Sequence, residues 1–140
     1  MPKRIAQVEI IVYKMVDNQP LFLLLKRIES RGGFWQPITG GANDNETLQA
    51  AAKRELYEET QIKDYLNFFE DVYYFEFDIE IHSRIKEYVF AVEIDTNTDA
   101  ILSDEHEEKK WCNFEEALKL LKYENNKEGF RKVFEIINIT

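Results

Sequence analysis

Positive charge is scarce in this sequence: 18 Lys and Arg face 27 Asp and Glu, for a net charge of −9. So acidic a chain repels long polyanions, which makes nucleic acid and anionic membrane surfaces poor candidates for its partners. Cysteine is down to one residue, Cys112. A lone cysteine closes no internal disulfide, and a reducing, cytoplasmic location is the expectation. Long apolar runs are missing too. Lys3 and Arg4 stand near the start, but Gln7, Glu9 and Lys14 interrupt the apolar residues after them, so no signal-peptide core is expected. No stretch approaches the roughly 20 apolar residues that cross a bilayer. Repeats, low-complexity tracts and linkers are also lacking. What remains is 140 residues, 44% hydrophobic and 14% aromatic, enough to bury the core of a single domain spanning residues 1–140.

Periodicity supplies the elements. Gln7 to Val16 is rich in β-branched residues and reads as a strand; after a turn at Asp17 to Pro20, Leu21 to Lys26 reads as its hairpin partner. Trp35 to Gly41 is glycine-terminated and extended, because Pro37 discourages helix around it. Glu46 to Thr60 is the best helix former, with Asn43 or Asp44 as its cap and Glu46 completing a capping box on Asn43. Phe68 to Ile81 alternates aromatic or aliphatic with acidic residues, the pattern of a half-buried strand. Tyr88 to Ile94 and Lys109 to Cys112 are further strands. Phe114 to Leu121 and Glu128 to Ile137 are closing helices with apolar stripes. A mixed sheet flanked by helices is the simplest assembly of these pieces.

One helix carries its charge on the wrong side. With Leu48 at zero and about 100° per residue, Ala52 lies at about 40°, Ala51 at about 300°, Glu55 at about 340° and Glu59 at about 20°. Both carboxylates sit in the apolar stripe, and Glu58, at about 280°, lies on its margin. An unpaired buried carboxylate costs several kcal/mol. Either buried basic residues pair with Glu55 and Glu59, or the helix emerges from the core, or carboxylates at i, i+3 and i+4 converge on a divalent cation. Helix spacing alone does not choose.

The flanking residues add to it. Gly40 is followed after five residues by Glu46, then after seven more by Arg54-Glu55, Leu56, Tyr57, Glu58-Glu59 and, closing the stretch, Ile62. The segment 40–62 resembles the signature of the Nudix hydrolases, with Gln61 where the family has a second glycine. A residue after a helix often takes a left-handed conformation, which Gln adopts at a cost of roughly 1 kcal/mol. Beyond the motif, FWQPITG, the basic strand end LLLKR and the EH…KKW segment look like the Nudix branch of dATP pyrophosphohydrolases that also act on dihydroneopterin triphosphate.

The resemblance implies an α/β (α+β) fold, a Nudix-like α/β/α sandwich with a mixed central sheet. It implies a hydrolase of phosphoric anhydrides that uses Mg²⁺, with Mn²⁺ as a possible substitute, on a small nucleotide or polyphosphate. Glu55, Glu58 and Glu59 would hold the metal, with the Thr39 carbonyl completing the site, and Arg54 and Glu46 would orient them. Glu105, in the acidic run before Lys109, is the candidate general base. His106 beside it reads as a surface histidine and Trp111 as core. Lys26, Arg27 and Arg31 are candidates for a terminal phosphate. Phe34 and Trp35 are placed to stack on a base, Trp35 being also a natural core residue.

The leading expectation is a pyrophosphohydrolase that splits a (deoxy)nucleoside or pterin triphosphate into monophosphate and pyrophosphate. A dinucleoside polyphosphate hydrolase is the alternative, and it needs a second stacking position that Tyr73, Tyr74, Tyr88 or Tyr123 could supply. A non-catalytic binding module is the remote one. Base, sugar, leaving group, metal count and oligomeric state are not legible at this level.

Overall fold

The computed structural model describes residues 3–80, 83–104 and 106–139. Strand β1 (Lys3–Val16) is the spine of a seven-stranded mixed sheet. It turns into β2 (Gln19–Arg27) through Asp17 and Asn18, both at positive φ, the two-residue hairpin loop whose twist suits antiparallel strands. Along its other edge β1 runs parallel to β6 (Ser83–Glu93), which pairs antiparallel with β5 (Asn67–Glu80). The short strands β3 (Trp35–Gln36) and β4 (Ile38–Gly41) attach to β2 and β1, and β7 (His106–Cys112) pairs with β2.

The β1 side chains alternate between two cores, one on each side of the sheet. Val8, Ile10 and Val12 pack with Ala51, Ala52 and Leu56 of helix α1 (Leu48–Thr60). Ile11 and Tyr13 face Ala117 of α2 (Phe114–Leu120) and Phe130 and Val133 of α3 (Glu124–Ile139). This is the α/β/α sandwich expected. Burying a side chain such as Leu56 completely contributes about 2 kcal/mol, which is why α1 holds to the sheet despite its glutamates.

Several boundaries differ from the sequence reading. Helix α1 starts two residues later than expected, capped by Thr47, whose Oγ1 accepts from the Ala50 N–H at 3.1 Å. Asn43 and Asp44 do not cap it. Glu46 does accept from the Asn43 N–H, at 3.0 Å, but in a turn ahead of the helix. The helix stops at Gln61, left-handed at φ 63, with its N–H on the Tyr57 carbonyl. Strand β6 begins at Ser83 rather than Tyr88, and β7 at His106 rather than Lys109, because pairing across the sheet overrides their polar composition. The aromatic face of β5 is only partly covered: Tyr73 and Phe75 pack against the α3 side, whereas Phe77 and Ile79 are exposed. Ile81, at the end of the expected strand, lies outside the described residues.

Candidate active site

The site forms where the loop after β4 meets α1, and Arg54 ties them together. Its Nε and Nη2 donate to both oxygens of Glu46, at 2.7 and 2.9 Å, and Nη2 also donates to the Gly41 carbonyl at 2.8 Å. Nη1 donates to Glu55 at 2.8 Å and to Glu58 at 3.2 Å. The two-pronged bond from Arg54 holds the Glu46 carboxyl far down, to about 2, so it stays ionised at any ordinary pH.

Glu55 lies against the strand. A Cβ added to Gly40 would stand 2.0 Å from the Glu55 Cδ and 2.3 and 2.4 Å from its oxygens. The missing side chain is the space the carboxylate occupies. Burial raises the Glu55 pKa; the Arg54 hydrogen bond and charge pull it back, and Glu58 and Glu59 push it up further. Extra positive charge beside this group would relieve both burial and repulsion.

Glu59 is buried, 6% exposed, and is held from the other side. The Ser103 hydroxyl donates to its Oε2 at 2.7 Å. His106 Nδ1 stands 2.9 Å from the same oxygen, close enough for an ion pair but without the alignment of a hydrogen bond. The loop reaches α1 because the Ile101 N–H donates to the Thr60 carbonyl at 2.9 Å. His106 is therefore a buried partner of Glu59, not the surface histidine expected. Trp111 is partly buried, with its Nε1 donating to Asp99.

Among the described residues, no three His, Cys, Asp or Glu side chains stand close enough to share a metal ion. Arg54 holds Glu55 and Glu58 on one side, and Ser103 and His106 hold Glu59 on the other. The donor chemistry nevertheless fits a hard divalent cation: the helix offers only carboxylates, two of them held on its buried side. Glu105 and the side chain of Arg31 lie outside the described residues.

On the α3 side of the sheet opens a cavity of about 560 Å³, lined among others by Arg27, Phe34, Gln36, Thr39, Glu87 and Asn126. Thr39 brings it next to Gly40, whose other side carries Glu55. The Arg27 Nε is buried here and makes no hydrogen bond to a described residue. Phe34 closes one wall, edge-on to Tyr123 at 5.6 Å. The other basic and aromatic candidates sit elsewhere: Lys26 pairs with Glu107 at 3.5 Å, and Trp35 packs against the α2–α3 core without lining the cavity.

Two further acids escaped the sequence reading. Glu9 is fully buried and Glu87 is 4% exposed, and they sit diagonally across the paired strands β1 and β6 on one face of the sheet. Asn126 donates to Glu9 Oε1 at 2.7 Å. Desolvation first, then the Glu87 charge, raises the Glu9 pKa well above the usual range; burial lifts Glu87 to about 7. A charged residue flanked by Val8 and Ile10 in a β-branched strand was the available signal for Glu9. Glu87 had none, because only the β1–β6 pairing brings the two together.

The NUDIX domain profile matches residues 5–134, nearly the whole chain. The chain belongs to the Nudix family. It is a Nudix hydrolase, and relatives in the family are nucleotide pyrophosphohydrolases. Dihydroneopterin triphosphate diphosphatase of Haemophilus influenzae is 30% identical over 142 residues, covering 93% of this chain and 87% of that one. An octanoyltransferase of Myxococcus xanthus is 30% identical over 132 residues, 94% of this chain but 37% of that protein, so this Nudix chain spans little more than a third of that relative. Among solved structures, a Caenorhabditis elegans Ap4A hydrolase in a binary complex superposes with a TM-score of 0.87 at 25% identity, covering 97% of this chain and 99% of that one.

Proposed function

We propose that this Nudix hydrolase is a divalent-metal-dependent pyrophosphohydrolase that converts a nucleoside or pterin triphosphate to monophosphate and pyrophosphate. The observation that carries the proposal is the buried Arg27 Nε, without a hydrogen bond among the described residues, in a cavity that reaches the strand beneath Glu55. A guanidinium so placed is suited to a phosphate. The Haemophilus relative's name supports the triphosphate class.

Nudix hydrolases generally use divalent metals such as Mg²⁺. Glu55, Glu58 and Glu59, with the Thr39 carbonyl, would hold the ion here, and it would neutralise phosphate charge that a chain of net charge −9 otherwise repels. The chain's own residues do the rest. Arg54 sets the rotamers of Glu55 and Glu58, and Ser103 and His106 set that of Glu59. Arg27 anchors phosphate. Glu105 accepts the proton of a water whose oxygen bonds to phosphorus while the bridging P–O bond breaks and pyrophosphate leaves. The reading also takes residues 1–140 as one catalytic domain.

A second reading, dinucleoside polyphosphate hydrolysis, has one observation in its favour. Tyr74 and Tyr88 pack together at 4.9 Å beside a smaller hollow of about 260 Å³ on the α1 side, a second aromatic position besides Phe34 and Tyr123.

Product analysis with millimolar Mg²⁺ tests both readings, on deoxynucleoside triphosphates, dihydroneopterin triphosphate and diadenosine tetraphosphate. Glu59→Gln is the comparison and should lose at least about a hundredfold in turnover. Pyrophosphate plus monophosphate from a triphosphate supports the first reading, and turnover of the dinucleotide alone replaces it with the second. Near-wild-type turnover by Glu59→Gln would remove the metal assignment.

A further inference from the structure

A buried polar contact joins the cavity wall to the glutamate helix. Gln36 lines the cavity and is 7% exposed, and its side-chain nitrogen lies 3.3 Å from His106 Nε2. The other ring nitrogen of His106 stands 2.9 Å from Glu59 Oε2. Amide, imidazole and carboxylate thus form one chain. Strand pairing builds it. Leu25 of β2 has Gln36 of β3 opposite it on one edge and Lys109 of β7 on the other, so the two strands flank β2. Glu108 pairs with Lys26, but the register then shifts, and His106 rather than Glu107 pairs with Arg27. A bulge adds one residue and re-aims the side chain beyond it. Regular alternation would send His106 outward with the exposed Glu108; the added residue turns it inward, toward Gln36.

The effect of the contact follows from the geometry of the ring. An imidazole turns about a terminal torsion whose energy wells are broad. Held at one nitrogen it swings; held at both it is fixed. Gln36 at one nitrogen and Glu59 at the other are those two points. The Ser103 hydroxyl already holds Glu59 Oε2 at 2.7 Å, and His106 meets the same oxygen from the ring side. The firmness of that second support depends on Gln36. Partners that orient a metal-binding side chain matter about tenfold to a hundredfold in metal affinity or activity.

We propose that Gln36 is a positioning residue: through His106 it holds the Glu59 carboxylate in place for the divalent cation, and it thereby ties metal affinity to a wall of the ligand cavity. The inference rests on the metal-binding reading of Glu59 and not on which triphosphate is hydrolysed. Both ends of the chain can be broken separately. Leucine at position 36 keeps the bulk of the wall without the amide. Asparagine at position 106 keeps a donor toward Glu59 but is too short to reach Gln36 as well.

The test reads metal binding without turnover. Mn²⁺ alone is the probe, titrated into the protein and followed by the paramagnetic resonance of the free ion, for wild type, Gln36→Leu, His106→Asn and the two changes combined. Each single change should weaken Mn²⁺ binding by about tenfold or more. The combination should lie within about twofold of the weaker single variant, because one path is broken only once. In steady-state assays, turnover by Gln36→Leu at limiting Mg²⁺ should fall by a similar factor and recover as Mg²⁺ is raised, with KM for the triphosphate changed by less than about threefold. Wild-type Mn²⁺ affinity in Gln36→Leu overturns the inference, and a raised KM beside it would make Gln36 a wall of the cavity only. Effects that multiply in the combination also overturn it, since the two residues would then act separately. The expected Mn²⁺ pattern without hydrolysis of any triphosphate upholds the inference and removes the reaction. No Mn²⁺ binding by wild type removes the metal assignment and the inference with it. If Gln36→Leu does not fold, Gln36→Asn, one carbon shorter, withdraws the amide from His106 and takes its place with the same expected loss.

Discussion

Replacing Gly40 with alanine adds a single methyl group, and the structure says where it lands. The new Cβ would sit 2.0 Å from the Glu55 Cδ, against an ordinary contact of 3.4–4 Å, so the carboxylate must retreat by well over an ångström. Gly40 is not among the positive-φ residues, so alanine meets no backbone strain there. The unfolded chain even loses some freedom, which offsets part of the lost Glu55–Arg54 contact. The fold should therefore survive, with stability changed by less than about 1.5 kcal/mol. Activity should not: an ångström of displacement at a charge-stabilising group costs about a hundredfold or more in rate. Gly41→Ala is the control, since nothing lies within 4 Å of a Cβ built at that residue. Urea unfolding and pyrophosphate release should be measured on both variants. If Gly40→Ala keeps more than about a third of wild-type turnover, or if Gly41→Ala loses as much, the placement of Glu55 against β4 does not matter to catalysis as argued.

Three other outcomes rest on named groups. Glu105→Gln should lower kcat more than it changes KM in steady-state assays if that residue takes the proton, and an unchanged kcat moves the base elsewhere. Arg27→Ala should raise KM for a triphosphate by about tenfold with a smaller change in kcat, because the lost contact is to bound phosphate; the check is a comparison of KM and kcat. Stability should fall as pH rises from 5 to 8. Glu87 titrates at about 7 in the folded chain against 4.5 when free, so between those values the folded state holds more protons than the unfolded. The stabilisation present below about 4.5 is lost through about 7, on the order of 3 kcal/mol from Glu87; Glu9, raised as well, adds to the same fall, so the urea midpoint declines with pH and Glu87→Gln should make the decline shallower without abolishing it. Glu46 and Asp99, depressed to about 2, act only at lower pH and leave this window alone.

Local chemistry made much of the chain legible. The β1–β2 hairpin follows from β-branched residues around Asp17-Asn18, and α1 from its alanines and leucines, because such preferences are settled within a few residues. The same wheel put Glu55 and Glu59 on the buried side, where the structure has them. The motif spacing from Gly40 to Ile62 carried the family, since a loop, a helix and their salt bridge close over a short stretch. Even Gln61 ends α1 in the left-handed turn that a glycine would take more easily.

What the sequence determined by itself is the element order, the family and the glutamate helix, all of them matters of residues close along the chain. Tertiary structure alone decided the rest. It turned His106 inward onto Glu59, set Thr47 rather than Asn43 as the cap, and chose Phe34 over Trp35 for the cavity wall. It also joined Glu9 to Glu87, from strands that are neighbours only because β1 and β6 run side by side. The pairing of distant strands and the docking of α3 determine which polar groups lose water together, and no local pattern records that.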